Sequence, residues 1–398
     1  MAKIHITLVG GQPAPVYKGI IDEQPDKVVL VCSSGSKKQA VTIANYINNN
    51  IVKIRADIPS FISPNFVFNL LDPVDIRKTG DDIKRIDEKY ITDQDEVSVN
   101  ITSGTKPWSI LFYSYFSKKA NATCFYIDQN DMKYDFCISE PVKVNAPLDI
   151  DGTLRLNNIQ VIQNVGISLY DQSDYDAIAT IHEIRSFNMN QFQTLTAEYS
   201  KRPDMNVYYL KDKNNCIDKN VFMRWDKDSK SFHFKISNDN SGKKEWVVSS
   251  SHIRKLLQNT GWFELEVAQL LSRWEHAGKI QLNNELCFIP QNPNDKTYST
   301  NEIDIIVEVG EKLLFVECKT GVKSITDVNK FNDVVKYYGG TGSKPVFFTY
   351  EVMNKKACDK CKNARIFYYN LKYVLNNPDK EKELFEKLDK YMSSINTR

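Results

Sequence analysis

Short apolar runs that alternate with helix-like segments over the first 140 residues constrain the fold of this chain most strongly. Lys3–Val9 and Lys27–Cys32 are almost wholly apolar and β-branched, as expected of strands that are buried on both faces of a sheet. Ile51–Ile58 is a further strand candidate, and Asp81–Tyr90 has a helical pattern. This alternation predicts an α/β fold with a doubly wound sheet.

Changes in composition divide the chain into four parts. Pro147, Gly152 and several Asn and Asp residues indicate a linker that follows the N-terminal α/β domain. The next region carries no functional motif, although a hairpin is expected around Asp226–Lys230. From Gly261 onward, helices and strands alternate again, which predicts a second α/β domain. The predicted parts are an N-terminal α/β domain (1–145), a linker (146–160), an intermediate region (161–255) and a C-terminal α/β domain (256–398).

The charge balance excludes proteins that coat nucleic acid by bulk charge. The sequence has 52 Lys and Arg against 50 Asp and Glu, a formal charge of +2, so any nucleic-acid contact must come from a local patch. No apolar run is long enough for a membrane span, and the N-terminus is typical of a strand rather than a signal peptide. The eight Cys are irregularly spaced, which indicates reduced thiols in the cytoplasm. Cys358 and Cys361 form a lone CxxC without a second ligand pair, so a zinc site is not expected.

Two apolar segments on either side of Gly310 predict a hairpin that carries carboxylates. If Gly310-Glu311 forms a two-residue loop, Val309 faces Lys312. Counting outward from the loop, Asp304 faces Glu317 and Glu302 faces Lys319. Glu317 and Lys319 share a face because side chains alternate along a strand.

Opposed carboxylates in this hairpin predict a cation site. Asp304 and Glu317 repel each other unless a divalent cation lies between them, and facing Cβ atoms about 5 Å apart allow both to reach one ion. Oxygen ligands suit Mn²⁺ or Mg²⁺. Lys319 can orient a water or stabilise a developing oxyanion. This combination is typical of metal-assisted phosphodiester hydrolysis. Glu302 is either a cross-strand ion-pair partner that holds Lys319 or a plain surface acid, and the sequence does not choose between the two.

The hairpin residues resemble the PD-(D/E)XK nuclease superfamily over roughly residues 255–350. Asp304 and Glu317-Cys318-Lys319 match its two strand motifs, although the literal Pro-Asp is absent. The superfamily also places an acid on the preceding helix. The helical pattern does not choose between Glu264 and Glu266, and the resemblance favours Glu264. The metal ligands that this implies are Asp304, Glu317, Glu264 and the Cys318 carbonyl, with Asp304, Glu317, Glu264 and Lys319 as the catalytic set.

The segment Thr102–Lys106 lies between a predicted strand and a predicted helix. Ligands of open α/β sheets bind at such carboxyl-end turns, where the N–H groups of a helix start attract anions. Gly104 allows a close approach of the backbone to a phosphate, and Lys106 adds positive charge. Neither a GxGxxG motif nor a P-loop is present. A small anionic ligand is therefore expected at this turn.

Together with the loop Gly10–Pro13, this segment resembles a CARF domain, the Rossmann-like sensor of CRISPR systems. A CARF domain followed by a PD-(D/E)XK domain resembles the CRISPR ancillary nucleases that cyclic oligoadenylates activate. The resemblance implies a homodimer that binds cyclic tetra-adenylate and then cleaves single-stranded RNA and DNA with Mn²⁺ or Mg²⁺ in type III antiviral defence. The ligand contacts that it implies are Gly11, Gln12, Ser33, Thr102, Ser103, Gly104, Thr105 and Lys106. Ser103 departs from the glycine that relatives often have.

Two other functions are compatible with the sequence. The chain could be a DNA repair or restriction enzyme that needs no ligand, and such an enzyme should ignore cyclic oligoadenylates. It could also be a ligand-responsive regulator with an inactive nuclease fold. The presence of Asp304, Glu317 and Lys319 argues against this second alternative.

Overall fold

The structure is a computed structural model. It describes residues 1–128, 130–136, 140–211, 217–239, 241–289, 300–310, 312–322, 324–339, 343–374 and 377–393. Within these residues the chain forms three sheets, of seven, four and six strands. None of the helices in these ranges is long and apolar enough to cross a membrane.

The N-terminal part is a seven-stranded sheet with helices on both faces. Its elements are β1 (Lys3–Val9), α1 (Pro13–Glu23), β2 (Lys27–Cys32), α2 (Lys37–Asn49), α3 (Ile51–Asp57), β3 (Asn65–Leu70), α4 (Ile76–Tyr90), β4 (Glu96–Asn100), α5 (Lys106–Phe116), β5 (Ala122–Ile127), β6 (Met132–Asp135) and β7 (Val142–Lys143). The strand order is β3-β2-β1-β4-β5-β6-β7, and the first five strands of that order are parallel. The predicted Rossmann-like sheet is therefore present. The order reverses between β1 and β4, which creates the crevice where such sheets bind ligands.

One predicted strand in this half is a helix. Ile51–Ile58 was expected to extend the sheet, and that prediction is wrong because this segment contains α3. Its apolar side chains follow a helical spacing: Ile54 and Ile58 are buried, whereas Val52 is 82% exposed. The third parallel strand is β3, whose pattern of exposed and half-buried side chains is that of a sheet edge.

The segment predicted as a linker, 146–160, contains a short helix, α6 (Ile150–Leu156). This helix joins the two halves closely. Tyr46 of α2 packs against Gly152, where a Cβ atom would overlap the tyrosine hydroxyl. Lys53 of α3 forms an ion pair with Asp149 at 2.8 Å. The connection is therefore a packed element rather than a free tether.

The middle of the chain packs a long helix on a four-stranded antiparallel sheet. Its elements are β8 (Ile159–Gly166), α7 (Gln172–Lys201), β9 (Val207–Lys211), β10 (Ile217–Asp226), β11 (Ser231–Asn238), β12 (Gly242–Ser249) and α8 (Ile253–Leu257). β10 and β11 form the predicted hairpin, with Asp226 opposite Ser231. β8 does not join this sheet, because it pairs with β13 of the C-terminal sheet. The C-terminal sheet thus extends beyond the predicted range 256–398.

The C-terminal part is a six-stranded mixed sheet. Its remaining elements are α9 (Gly261–Ser272), β13 (Ile280–Phe288), β14 (Asn301–Val309), β15 (Lys312–Lys319), α10 (Ile325–Tyr338), β16 (Ser343–Thr349), α11 (Lys355–Asn363), β17 (Phe367–Asn370) and α12 (Pro378–Ser393). The strand order is β17-β16-β15-β14-β13-β8. β14 and β15 are central, so the predicted carboxylate hairpin forms the middle of the sheet. One face packs against α7 and α9, and the other packs against α10.

The alternation of side chains along β14 is interrupted at Asp304. Ile303 and Ile305 should share a face, but Ile303 packs in the core with α10 and Ile305 in the core with α9. Opposite this point, Asn283 of β13 has a left-handed backbone with φ +51°. Pairing between the two strands resumes in the same register on both sides. The interruption places Asp304 at a local irregularity of the sheet, as is common beside functional sites.

Candidate active site and ligand-sensing loops

The hairpin brings Asp304, Glu317 and Lys319 together as the sequence predicts. The ladder between β14 and β15 runs from Val309–Lys312 to Ile305–Val316, in the predicted register. Glu311 of the predicted loop lies outside the described residues. Where the ladder ends, the Cys318 backbone N–H donates to Asp304 Oδ2 at 2.6 Å. Lys319 Nζ lies 2.7 Å from Glu317 Oε1 and 3.9 Å from Asp304 Oδ2.

Helix α9 supplies a third carboxylate to this group. Glu264 is close enough to Asp304 for the charge of Asp304 to raise the pKa of Glu264, in addition to the larger effect of burial. Glu266 lies elsewhere, with its Oε1 2.7 Å from His182 Nε2 on α7. Of the two acids that the sequence left open, the structure therefore brings Glu264 to the hairpin.

The ion pair between Glu302 and Lys319, which the sequence left open, is absent. The Lys319 ammonium lies at Glu317 and Asp304 instead, since these more buried carboxylates have greater need of a positive partner. Glu302 is exposed and pairs across the sheet with Glu285. Burial and the nearby charge of Asp304 raise the pKa of Glu302. Glu302 therefore adds negative charge at the edge of the site.

The carboxylates of the site outnumber the positively charged groups that could neutralise them. Burial and the charge of Glu317 raise the pKa of Asp304 to about 7. Burial also raises the pKa of Glu317, against the opposing effect of Lys319. Burial acts to lower the pKa of Lys319, but Asp304 and Glu317 outweigh it and raise that pKa above its ordinary value. One ammonium group thus serves one buried acid, Asp304, two half-buried acids and one exposed acid.

This excess of carboxylate suits a divalent cation chemically. Glu264, Asp304 and Glu317 offer the hard oxygen donors that Mg²⁺ and Mn²⁺ prefer. No group of three or more His, Cys, Asp or Glu side chains is already arranged to hold a metal within the described residues. A cation would therefore draw these side chains together rather than enter a finished set of ligands.

In the N-terminal half, the loops after β1 and β4 meet at the predicted crevice. The Ser103 hydroxyl donates to the Gln12 carbonyl oxygen at 2.8 Å. A Cβ atom at Gly10 would overlap the Ser103 carbonyl oxygen, so only glycine fits there. Gly104 packs equally closely on Leu8, which would obstruct a side chain at this position. The two loops therefore form one surface at the carboxyl edge of the sheet.

Three of the predicted ligand contacts use their hydroxyl groups within the protein. Thr102 donates to Asn100 Oδ1 at 2.6 Å and accepts from the Ile127 N–H at 2.8 Å. Thr105 caps α5 by accepting from the Trp108 N–H, and Ser103 is bonded to Gln12 as described. These hydroxyls therefore shape the loop rather than point to a ligand.

Other predicted contacts lie on the exposed rim of the same edge. Gly11, Gln12 and Lys106 are exposed, and a Cβ atom at Gly11 would meet nothing within 4 Å. Ser33 follows β2, where its N–H donates to Ser36 Oγ at 2.9 Å. Lys106 is thus the cation of this set that is open to an anionic ligand.

The sequence did not indicate a role for Asn100, which holds the segments after β1 and β4 by hydrogen bonds. Its side chain is 1% exposed, accepts from both the N–H and the hydroxyl of Thr102, and donates to the Pro15 carbonyl oxygen in α1. Nor did the sequence indicate a role for Asn283, whose left-handed backbone lies opposite Asp304 in the sheet. Asn100 ends β4 and Asn283 lies inside β13, and neither position is marked by a motif, so the sequence carried no distinctive signal for either.

Comparison with protein families identifies the N-terminal part. Residues 4–145 match the family model of the Card1 CARF domain. The chain carries an N-terminal CARF domain. This domain accounts for β1 to β7, including both loops at the crevice. No curated protein matches the chain in a sequence comparison.

Solved structures share the fold of nearly the whole chain. Can2 from Sulfobacillus thermosulfidooxidans, in complex with cyclic tetra-adenylate, matches with a TM-score of 0.68 and 16% identity, covering 98% of this chain and 100% of Can2. Protein VC1899 from Vibrio cholerae matches with a TM-score of 0.72 and 13% identity, covering 98% and 99%. A type III CRISPR defence DNA nuclease activated by cyclic oligoadenylate matches with a TM-score of 0.53 and 13% identity, covering 88% of this chain and 45% of that one. At these identities the matches show a common fold.

Proposed function

We propose that this protein is a CRISPR ancillary nuclease that a cyclic oligoadenylate activates and that hydrolyses phosphodiester bonds with a divalent cation. The observation that carries the proposal is the gathering of Glu264, Asp304, Glu317 and Lys319 at the central hairpin of the C-terminal sheet. The strand and helix positions of these residues support a PD-(D/E)XK assignment. The CARF domain supports the sensing role.

The residues of the site have two kinds of role in the proposed reaction, metal binding and stabilisation of charge. Glu264, Asp304, Glu317 and the Cys318 carbonyl would hold Mn²⁺ or Mg²⁺. The cation, when bound, supplies Lewis-acid activation of the phosphate and of a water. The Cys318 N–H fixes one oxygen of Asp304, so that the other stays available. Lys319, fully protonated near neutral pH, orients the attacking water or stabilises charge on the phosphate oxygens.

The sensing half is proposed to bind cyclic tetra-adenylate at the crevice between β1 and β4. Phosphates would meet the exposed Lys106 and the N–H groups at the start of α5. Gly11 and Gln12 would contact the ligand from the facing loop. A ring that spans two such crevices explains the proposed homodimer. This proposal takes support from the fold shared with Can2, whose solved structure holds cyclic tetra-adenylate.

We propose that activation runs through α1, which begins directly after the loop Gly10–Gln12. Lys18 of α1 forms a buried ion pair with Asp131 at 2.5 Å. Glu308 of β14 is close enough to influence the pKa of Lys18. The same strand carries Asp304, so a shift of α1 on ligand binding can reach the catalytic hairpin.

The test is a cleavage assay of labelled single- and double-stranded RNA and DNA with Mn²⁺, with and without cyclic tetra-adenylate. We expect cleavage of the single strands that depends on the ligand. Cleavage that ignores the ligand would favour a repair or restriction enzyme. If single strands stay intact in the presence of both ligand and Mn²⁺, the protein is not the proposed nuclease.

A further inference from the structure

A cavity of about 300 Å³ opens beside the proposed catalytic carboxylates. Glu264 and Glu302 form part of its wall, so it adjoins the place where the bond would be cut. The other walls come from β8, from β13 and from the segment between α8 and α9. Its volume lies at the lower end of the range of about 300–1,000 Å³ that small-molecule sites occupy. The cavity is therefore large enough for a group such as one nucleobase.

The backbone around this cavity is strained at several points. Asn259 has φ +48° and Thr260 has φ +68°, and together they lead into Gly261 at the start of α9. Asn283, on the β13 wall, has φ +51°. Non-glycine residues seldom adopt these angles, and such residues concentrate at functional sites because the surrounding structure must hold them there. The Asn259 N–H is held by Ser200 Oγ of α7 at 3.0 Å.

The polar side chains of the cavity are free to bind a ligand. Gln163, Gln258, Asn259 and Lys255 line it and are exposed. The described part of the chain provides no hydrogen bond or ion pair to these four side chains. An amide both donates and accepts, as the edge of a nucleobase does, whereas a lysine binds phosphate. This set therefore suits a nucleotide better than an apolar or a purely anionic ligand.

We propose that this cavity is a subsite for one unstacked nucleobase of the nucleic-acid substrate, next to the bond that is cut. The inference rests on the proposed nuclease function, since that function supplies the substrate. Gln258 and Asn259 contact the base edge, and Lys255 holds a neighbouring phosphate. A base can enter such a cavity only after it leaves its stack, which costs least in a single strand. The subsite thus explains both a preference for single strands and a preference for one base.

The test measures binding separately from cleavage. The full-length Lys319→Ala protein is titrated with fluorescent oligo(dA), oligo(dC) and oligo(dT), and with a duplex, in the presence of cyclic tetra-adenylate. We expect one homopolymer to bind best and the duplex to bind worst. Adding Gln258→Ala and Asn259→Gly should reduce the preference between homopolymers at least about fivefold, as expected for a lost amide–base contact. Glycine accepts the left-handed backbone at position 259, so the fold is retained.

A matched control distinguishes the amide from the backbone. Asn158 also has a left-handed backbone, with φ +64°, but lies outside this cavity, so Asn158→Gly should leave the base preference unchanged. Equal binding of all homopolymers, or a preference that survives the double substitution, would overturn the subsite. Mapping of the cut positions in the wild-type protein separates the two proposals. A base preference in binding without any cleavage would support the subsite and refute the proposed nuclease activity. Cleavage without a base preference would support the nuclease activity and refute the subsite.

Discussion

Replacing Asp304 by Asn should stabilise the metal-free protein at alkaline pH. Asp304 is 8% exposed, and burial together with Glu317 raises its pKa from 3.8 to about 7. The folded protein therefore holds this proton more tightly than the unfolded chain does. The resulting stability is fully present below the unfolded pKa and is lost as the pH rises through about 7. Asn removes the charge and keeps an oxygen that accepts the Cys318 N–H.

The size of the effect follows from the pKa shift. A rise of roughly 3 pKa units corresponds to an upper limit of about 4 kcal/mol in the free energy of unfolding. For the C-terminal domain this upper limit corresponds to an increase in Tm of roughly 8–16 °C at about pH 8. At about pH 5 the carboxyl is protonated in the folded wild type but ionised in the unfolded chain, so the gain should fall to roughly 1.6 kcal/mol, and it should vanish only below the unfolded pKa of 3.8. Lys319 stays charged across this range and contributes no pH dependence.

Thermal unfolding by calorimetry at both pH values, with EDTA or with Mn²⁺, measures this effect. Mn²⁺ should raise the Tm of the wild type at alkaline pH and should raise that of Asp304→Asn much less. Glu308→Gln is the matched control, because Glu308 lies on the same strand with a pKa that burial also raises. It should keep the wild-type response to Mn²⁺. An Asp304→Asn protein that is less stable at both pH values, with an unchanged Mn²⁺ response, would refute the account of the site.

Three further predictions concern the catalytic lysine, the sensing loop and a buried ion pair of the N-terminal half. Lys319→Ala should slow cleavage by about 100-fold without changing the affinity for cyclic tetra-adenylate, as single-turnover kinetics and calorimetry would show. Gly10→Ala should lower the Tm and abolish ligand binding because its methyl group overlaps the facing loop, whereas Gly11→Ala should keep the wild-type Tm. Lys18→Met should destabilise the protein by up to about 3–5 kcal/mol in chemical unfolding because it leaves the buried Asp131 with Lys143, 3.9 Å away, in place of its close partner, and adding Asp131→Asn should recover much of that loss.

The hairpin could be predicted from the sequence because its geometry is local. A short loop at Gly310 fixes the register, and alternation along the strands fixes the faces. The predicted proximity of Asp304, Glu317 and Lys319 agrees with the structure, although the ladder ends at Ile305–Val316, before the predicted pair of Asp304 and Glu317. The Rossmann-like sheet was predictable for a similar reason, since β1 and β2 are continuous apolar runs.

Features that depend on tertiary packing could not be predicted from the sequence. The sequence left open whether Glu302 pairs with Lys319, and burial makes Asp304 and Glu317 the stronger partners. The choice between Glu264 and Glu266 needed the position of His182, which lies 84 residues from Glu266 in the chain. The segment Ile51–Ile58 has both β-branched residues and a helical spacing of buried ones, and the spacing decided its structure.

If the carboxylate hairpin cuts nucleic acid when the CARF domain is occupied, single-turnover kinetics should show it. The assay is cleavage of a labelled single strand by the wild type and by Glu317→Gln, with and without cyclic tetra-adenylate, in Mn²⁺. We expect cleavage only by the wild type and only with the ligand, while both proteins bind the ligand equally. Equal cleavage by Glu317→Gln would contradict the assignment of the site.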